Sequence, residues 1–156
     1  MIGEDDGNFR DRLIARVPVT VRRRVQWGDC DPAGVVYTPR FSDYIASAAD
    51  WFWQVVMAGH PPSLVEVGLY TPTKSLSFSF HHVLRPDDLF DMIVRVSALR
   101  TRTLDLAIKA IGVDGEPRFS SVLSPIMVSA HSYEAVPFPD HVRAALDAYA
   151  ARCALV

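Results

Sequence analysis

Trp27-Gly28-Asp29-Cys30-Asp31-Pro32-Ala33-Gly34-Val35-Val36-Tyr37-Thr38-Pro39 runs directly into Arg40-Phe41-Ser42-Asp43-Tyr44-Ile45-Ala46-Ser47-Ala48. The first part is dense in turn formers and reads as a loop. The second begins a helix. Phe41, Tyr44, Ile45, Ala48, Phe52, Val55 and Val56 recur at helical spacing, while Asp43, Ser47, Asp50 and Gln54 fall opposite. That is the pattern of a long helix with one buried face. Thr38 is the expected N-cap, with Pro39 at the first helical position. Gly59 to Pro62 stops the helix. Trp51 and Trp53 flank the apolar stripe and read as core or subunit-interface packing.

Before the loop, Val19 to Trp27 alternates β-branched and charged residues and reads as a strand. Its Arg22-Arg23-Arg24 run reads as a solvated face, with a ligand site as the alternative. Residues 1–14 are expected to form a flexible N-terminal segment, and 15–156 a single domain. After the helix the period changes to two. Leu76, Phe78 and Phe80 alternate with serines, as in a half-buried strand. Arg85-Pro86-Asp87-Asp88 is a turn. Phe90 to Val96 and Thr103 to Ile111 are further strands, and Val113-Asp114-Gly115-Glu116 a hairpin turn. Phe119 to Ala130 reads as a fourth strand, in which Pro125 demands an edge or a bulge. A last helix spans Asp140 to Arg152. One strand, a long helix, four antiparallel strands and a short helix make an α+β domain.

The chain has 156 residues, 49% of them hydrophobic, enough for one substantial core. A formal net charge of -2 excludes general attraction to nucleic acid or an anionic membrane. No apolar run approaches the roughly 18 residues that span a bilayer, and Met1 to Arg12 has no signal-peptide pattern. A soluble cytoplasmic protein is expected. Cys30 and Cys153 form no disulfide framework or zinc pattern. Cys30 reads as a small buried residue, its thiol pKa raised by Asp31. His60, His81, His82, His131 and His141 suit no triad, and adjacent His81 and His82 should point to opposite strand faces.

The chemistry lies in the quoted loop. Asp31 can be held near the start of the long helix, where main-chain N–H groups lack partners and the dipole is positive. Pro39 has no N–H, which leaves Tyr37 and Thr38 as donors. A carboxylate beside a fixed donor suits attack on a carbonyl whose oxygen turns negative. On spacing alone, a cap or turn explains the same residues. Two acids and a thiol suit no common metal.

The eleven residues from Trp27 to Tyr37, with Pro39 and Phe41 after them, resemble the 4-hydroxybenzoyl-CoA thioesterase family. Weaker matches are Thr71-Pro72, Pro86-Asp87-Asp88, Arg100-Thr101-Arg102-Thr103 and Ala135-Val136-Pro137. The resemblance implies a hotdog fold, a long central helix wrapped by a five-stranded antiparallel sheet. It implies hydrolysis of an acyl-CoA, aromatic or short to medium in chain, with active sites at the interface of a homodimer that often pairs into a dimer of dimers. Asp31 would be the catalytic acid, as nucleophile or general base. The main-chain N–H of Thr38, following Tyr37, would hold the thioester oxygen. Arg100, Arg102 and Thr103 would meet the CoA phosphates, for which arginine is suited by its fork of donors. Trp27 and Phe41 would border the substrate. Coenzyme A is then part of the substrate, and no cofactor or metal is called for. One departure is Ala46, where relatives often carry an acid, so no role for a second acid follows. Two other readings stay open: an acyl-carrier-protein thioesterase, and a non-catalytic acyl-CoA-binding protein.

Overall fold

The computed structural model describes residues 9–156. Its elements are β1 (Asp11–Arg16), β2 (Val19–Arg24), a single 3-10 turn (Trp27–Asp29), α1 (Arg40–Met57), β3 (Leu69–Tyr70), β4 (Thr73–Phe80), β5 (Leu89–Leu99), β6 (Leu104–Gly112), β7 (Pro117–Pro125), β8 (Val128–Ser129) and α2 (Asp140–Cys153). Six strands form one antiparallel sheet in the order β1-β2-β5-β6-β7-β4, and β3 pairs with β8. Helix α1 lies on β2 and β5, and α2 packs against α1 and β5. The α+β expectation holds.

Of the helical stripe read from the sequence, Phe41, Tyr44, Ile45, Ala48, Phe52 and Val56 are buried and Val55 is half-buried. Strand parity supplies the other half of the core, as Val19 and Val21 on β2, Phe90, Met92 and Val94 on β5, and Leu104, Leu106 and Ile108 on β6. The Tyr149 hydroxyl locks α2 to the sheet. It accepts the Val19 N–H at 2.8 Å and donates to the Val94 carbonyl at 2.6 Å.

Several boundaries differ from expectation. The sheet has six strands, not five, because Asp11–Arg16 pairs with β2, with Asp11 opposite Arg23. The flexible segment expected over 1–14 is therefore corrected from Asp11 onward; residues 1–8 lie outside the described residues. The unrecognised strand also explains Arg23. This side chain faces inward, 2% exposed, paired with Asp11 at 2.9 Å and set over the Tyr44 ring at 4.9 Å. It is not part of a solvated face, since a buried charge needs a partner and β1 supplies one. Arg22 does face outward, in a two-pronged pair with Asp91.

Helix α1 begins at Arg40, with Pro39 rather than Thr38 at the cap position. Gly59, at φ +80°, ends it as expected. Of the Asp114-Gly115 pair only Gly115 takes a positive φ, +87°. β7 stops at Pro125, opposite a register shift between Thr73 and Ser75, so the extended run read through Ala130 breaks in two. β4 is the edge strand opposite β1 and is mostly exposed, with Leu76 at 37% and Phe80 at 52%.

Phe52, fully buried against Tyr149 with ring centroids 5.2 Å apart, belongs to the core alone. Phe52→Ala should lower unfolding free energy by about 3–5 kcal/mol. Urea denaturation followed by circular dichroism checks this, and a loss under about 1 kcal/mol would contradict the packing described.

Candidate active site

The motif loop is a miniature hairpin. The Asp31 N–H donates to the Val35 carbonyl at 3.0 Å, Cys30 bridges Val36, and the Tyr37 N–H donates to the Asp29 carbonyl at 3.2 Å. Residues 32–34 turn the tip. Gly34 takes φ +78°, which glycine alone adopts without strain, and its N–H returns to the Asp31 carbonyl at 2.9 Å. The Val36 N–H donates to the Leu84 carbonyl at 2.9 Å and ties the hairpin to the segment before β5.

The two acids have different surroundings. Asp29 is 5% exposed. Its carboxylate accepts the Gln26 N–H and the Tyr44 hydroxyl, both at 2.9 Å, and Arg40 stands at 4.0 Å. Asp31 is half-exposed at the hairpin tip. Its Oδ1 accepts the Ala33 N–H at 2.8 Å, which fixes the carboxylate and leaves Oδ2 without a protein donor among the described residues. The spacing of the two acids did not reveal this division.

The donors also separate. The Tyr37 N–H is spent on Asp29, whereas the N–H of exposed Thr38 donates to no group among the described residues. It is left open at the start of α1, where the helix dipole adds positive potential. Tyr37 is half-buried, with Arg40 over its ring at 5.5 Å. Cys30 is half-buried rather than buried. Burial first, then Asp29 and Asp31, push its thiol above the usual range, so it is a poor nucleophile.

Thr38 and Phe41 line a cavity of about 240 Å³ with Val36, Phe80, His81, His82, Val83 and Leu84. Asp31, Tyr37 and Trp27 are not among its lining residues. Trp27 stands 74% exposed. The sequence reading missed His81 and His82 as cavity residues because it extended strand alternation past the true strand end. β4 stops at Phe80, and the main-chain N–H groups of both histidines reach the single carbonyl of Arg118, at 2.9 and 3.2 Å.

Arg100, Arg102 and Thr103 sit on the β5–β6 turn, at the far end of β5 from the motif hairpin. β5 has 11 residues. At ~3.4 Å per residue the two groups lie roughly 30 Å apart within one chain. The arginines are not equivalent. Arg100 is held by Asp105 through two hydrogen bonds of 3.0 and 2.9 Å, and that pairing keeps the Asp105 carboxyl below its ordinary value. The exposed guanidinium of Arg102 has no partner among the described residues. Among the described residues no group of three or more His, Cys, Asp or Glu side chains is placed to hold a metal ion, and no helix is long and apolar enough to cross a membrane.

The chain is 29% identical over 89 residues to a 4-hydroxybenzoyl-CoA thioesterase of Pseudomonas sp. (strain CBS-3), a match covering 54% of this chain and 62% of that protein. It therefore spans less than two thirds of that relative's length. A solved thioesterase-superfamily structure from Jannaschia sp. CCS1 superposes with TM-score 0.73 at 25% identity, over 83% of this chain and 90% of that one. A gentisyl-coenzyme A thioesterase structure superposes with TM-score 0.71 at 20% identity, over 81% and 98%. These likenesses identify the architecture as the hotdog fold. The thioesterase-like superfamily matches residues 25–146, most of the domain, and the chain belongs to that superfamily.

Proposed function

We propose that this protein hydrolyses the thioester of an acyl-CoA with an aromatic or short to medium acyl group. One observation carries the reading. A half-exposed carboxylate with an unclaimed oxygen, Asp31, and an open main-chain N–H, Thr38, are joined by one short hairpin at the start of the long helix. The N–H would receive the carbonyl oxygen as it turns negative. Asp31 would either attack the carbonyl carbon, expelling the thiolate and forming an acyl anhydride that water then hydrolyses to the acid and free Asp31, or take a proton from water that attacks directly. The thiolate leaves as coenzyme A. The chemistry requires no metal.

The separation of roughly 30 Å between Asp31 and Arg102, a strand length at ~3.4 Å per residue, supports a two-chain site. β4 runs from the Arg102 end, where the Met127 N–H meets the Arg102 carbonyl, to the Thr38 end at Phe80. It is an eight-residue edge with a single charge, Lys74, which is an exposed pairing template unless something covers it. A second copy joined antiparallel along β4 about a two-fold axis brings its Arg102 end to this chain's Thr38 end. Arg102, Thr103 and, on release from Asp105, Arg100 of one copy then meet the CoA phosphates while Asp31 of the other meets the thioester. Two such dimers would pair as a tetramer.

A thiol-release screen over aromatic, short, medium and long acyl-CoAs tests the activity, and silence across the whole screen refutes it. Asp31→Asn should cut kcat about 1000-fold with little change in KM or melting temperature, since Asn keeps the bond to the Ala33 N–H. Near-normal turnover by this variant removes Asp31 from the mechanism.

A mixing experiment tests the shared site. Asp31→Asn and Arg102→Ala subunits are each impaired alone. Refolded together they should regain about a quarter of the wild-type rate at low substrate, because half the dimers are mixed and each holds one intact site. No recovery on mixing means that each site is built from one chain.

A further inference from the structure

We propose that Tyr44 is a positioning residue, whose hydroxyl holds the Asp31 hairpin in register with the start of α1 by way of the Asp29 carboxylate. Its consequence for turnover rests on the thioesterase reading above; the clamp itself does not.

Asp31 and the Thr38 N–H belong to two bodies, the hairpin and the helix. The covalent link between them, through Tyr37, leaves backbone torsions free. What restricts them is Asp29, at the foot of the hairpin. Its carbonyl accepts the Tyr37 N–H at 3.2 Å, and its carboxylate accepts the Gln26 N–H at 2.9 Å. Both bonds stay on the loop side. Among the described residues, only the Tyr44 hydroxyl, at 2.9 Å, brings a hydrogen bond to Asp29 from within α1; Arg40 stands off at 4.0 Å. Tyr44 lies in the second turn of the helix, is fully buried, and is seated by Phe90 at 5.2 Å, Phe41 at 5.9 Å and the Arg23 guanidinium at 4.9 Å. It can move little, so the bond transmits the position of the helix to the hairpin. Burial, followed by the bond to Asp29, pushes the Tyr44 phenol far above its ordinary value, and it remains a donor at any working pH.

A merely structural tyrosine offers a built-in comparison. Tyr149 is buried like Tyr44, but its hydroxyl makes two bonds, to Val19 and Val94, away from the hairpin, where that of Tyr44 makes one. Tyr44→Phe and Tyr149→Phe each delete one buried hydroxyl and keep the ring.

Both variants should melt below the wild type. Only Tyr44→Phe should lower kcat more than the melting shift accounts for, by roughly 10- to 100-fold, with KM within about twofold. Tyr44→Phe/Asp29→Asn should be no slower than Asp29→Asn alone, since one residue acts through the other. Equal loss of kcat in the two tyrosine variants, or additive loss in the double variant, overturns the proposal. Amide hydrogen exchange gives a readout independent of turnover. Residues 26–38 should exchange at least about tenfold faster in Tyr44→Phe and unchanged in Tyr149→Phe. Should the wild type release no thiol from any acyl-CoA, the thioesterase reading fails, while the exchange result still decides the clamp: unchanged protection over 26–38 refutes it.

Discussion

Burial of one face of α1 against the sheet is the constraint from which the rest follows. Phe41, Tyr44, Ile45, Ala48, Phe52 and Val56 leave water together, and they can do so only with the helix axis fixed across β2 and β5. Fixing the axis also fixes the helix start. The open N–H of Thr38 lies in the turn that leads into that start, and the turn is tied to the helix by the Phe41 N–H on the Thr38 carbonyl. Anything built on it inherits the stiffness of a close-packed interior.

The buried polar groups extend this constraint. Arg23 occupies an inward position on β2, in line with the buried aliphatic side chains of Val19 and Val21 and of Val25 just beyond the strand. It is tolerated because β1 brings Asp11 to 2.9 Å and Ser47 of α1 also bonds that carboxylate. The Tyr44 ring on which Arg23 rests carries the hydroxyl that donates to Asp29. A chain of partnered polar groups thus runs from the first strand, past the helix, to the foot of the motif hairpin. Each member would be costly to bury alone. Together they join the sheet edge, the helix and the loop that bears Asp31.

The acids of the motif illustrate how far sequence reasoning reaches. Turn formers around Asp31 marked a loop before a helix, and that is where the loop stands. The different fates of Asp29 and Asp31 were not legible, because an aspartate is equally at home in a cap, a turn or a site. Tyr44, 15 residues from Asp29, decides the matter by donating to one of them and not the other. The histidines were misplaced for a related reason. Alternation predicts opposite faces only while the strand continues, and the strand stops at Phe80.

By itself the sequence determined the period of each segment, hence one long amphipathic helix, a set of antiparallel strands, and a specific motif at their junction. Those properties are local, since side-chain spacing along a strand or helix sets which face is apolar. Tertiary structure alone decided what depends on distant partners. It paired β1 with β2 and so buried Arg23, made β4 an exposed edge, claimed the Tyr37 N–H and left that of Thr38 open, and set Arg102 a full strand length from Asp31. Hydrogen bonds and ion pairs between residues remote in sequence carry no periodic signature. Only the folded chain shows which polar groups are already satisfied and which remain for a substrate.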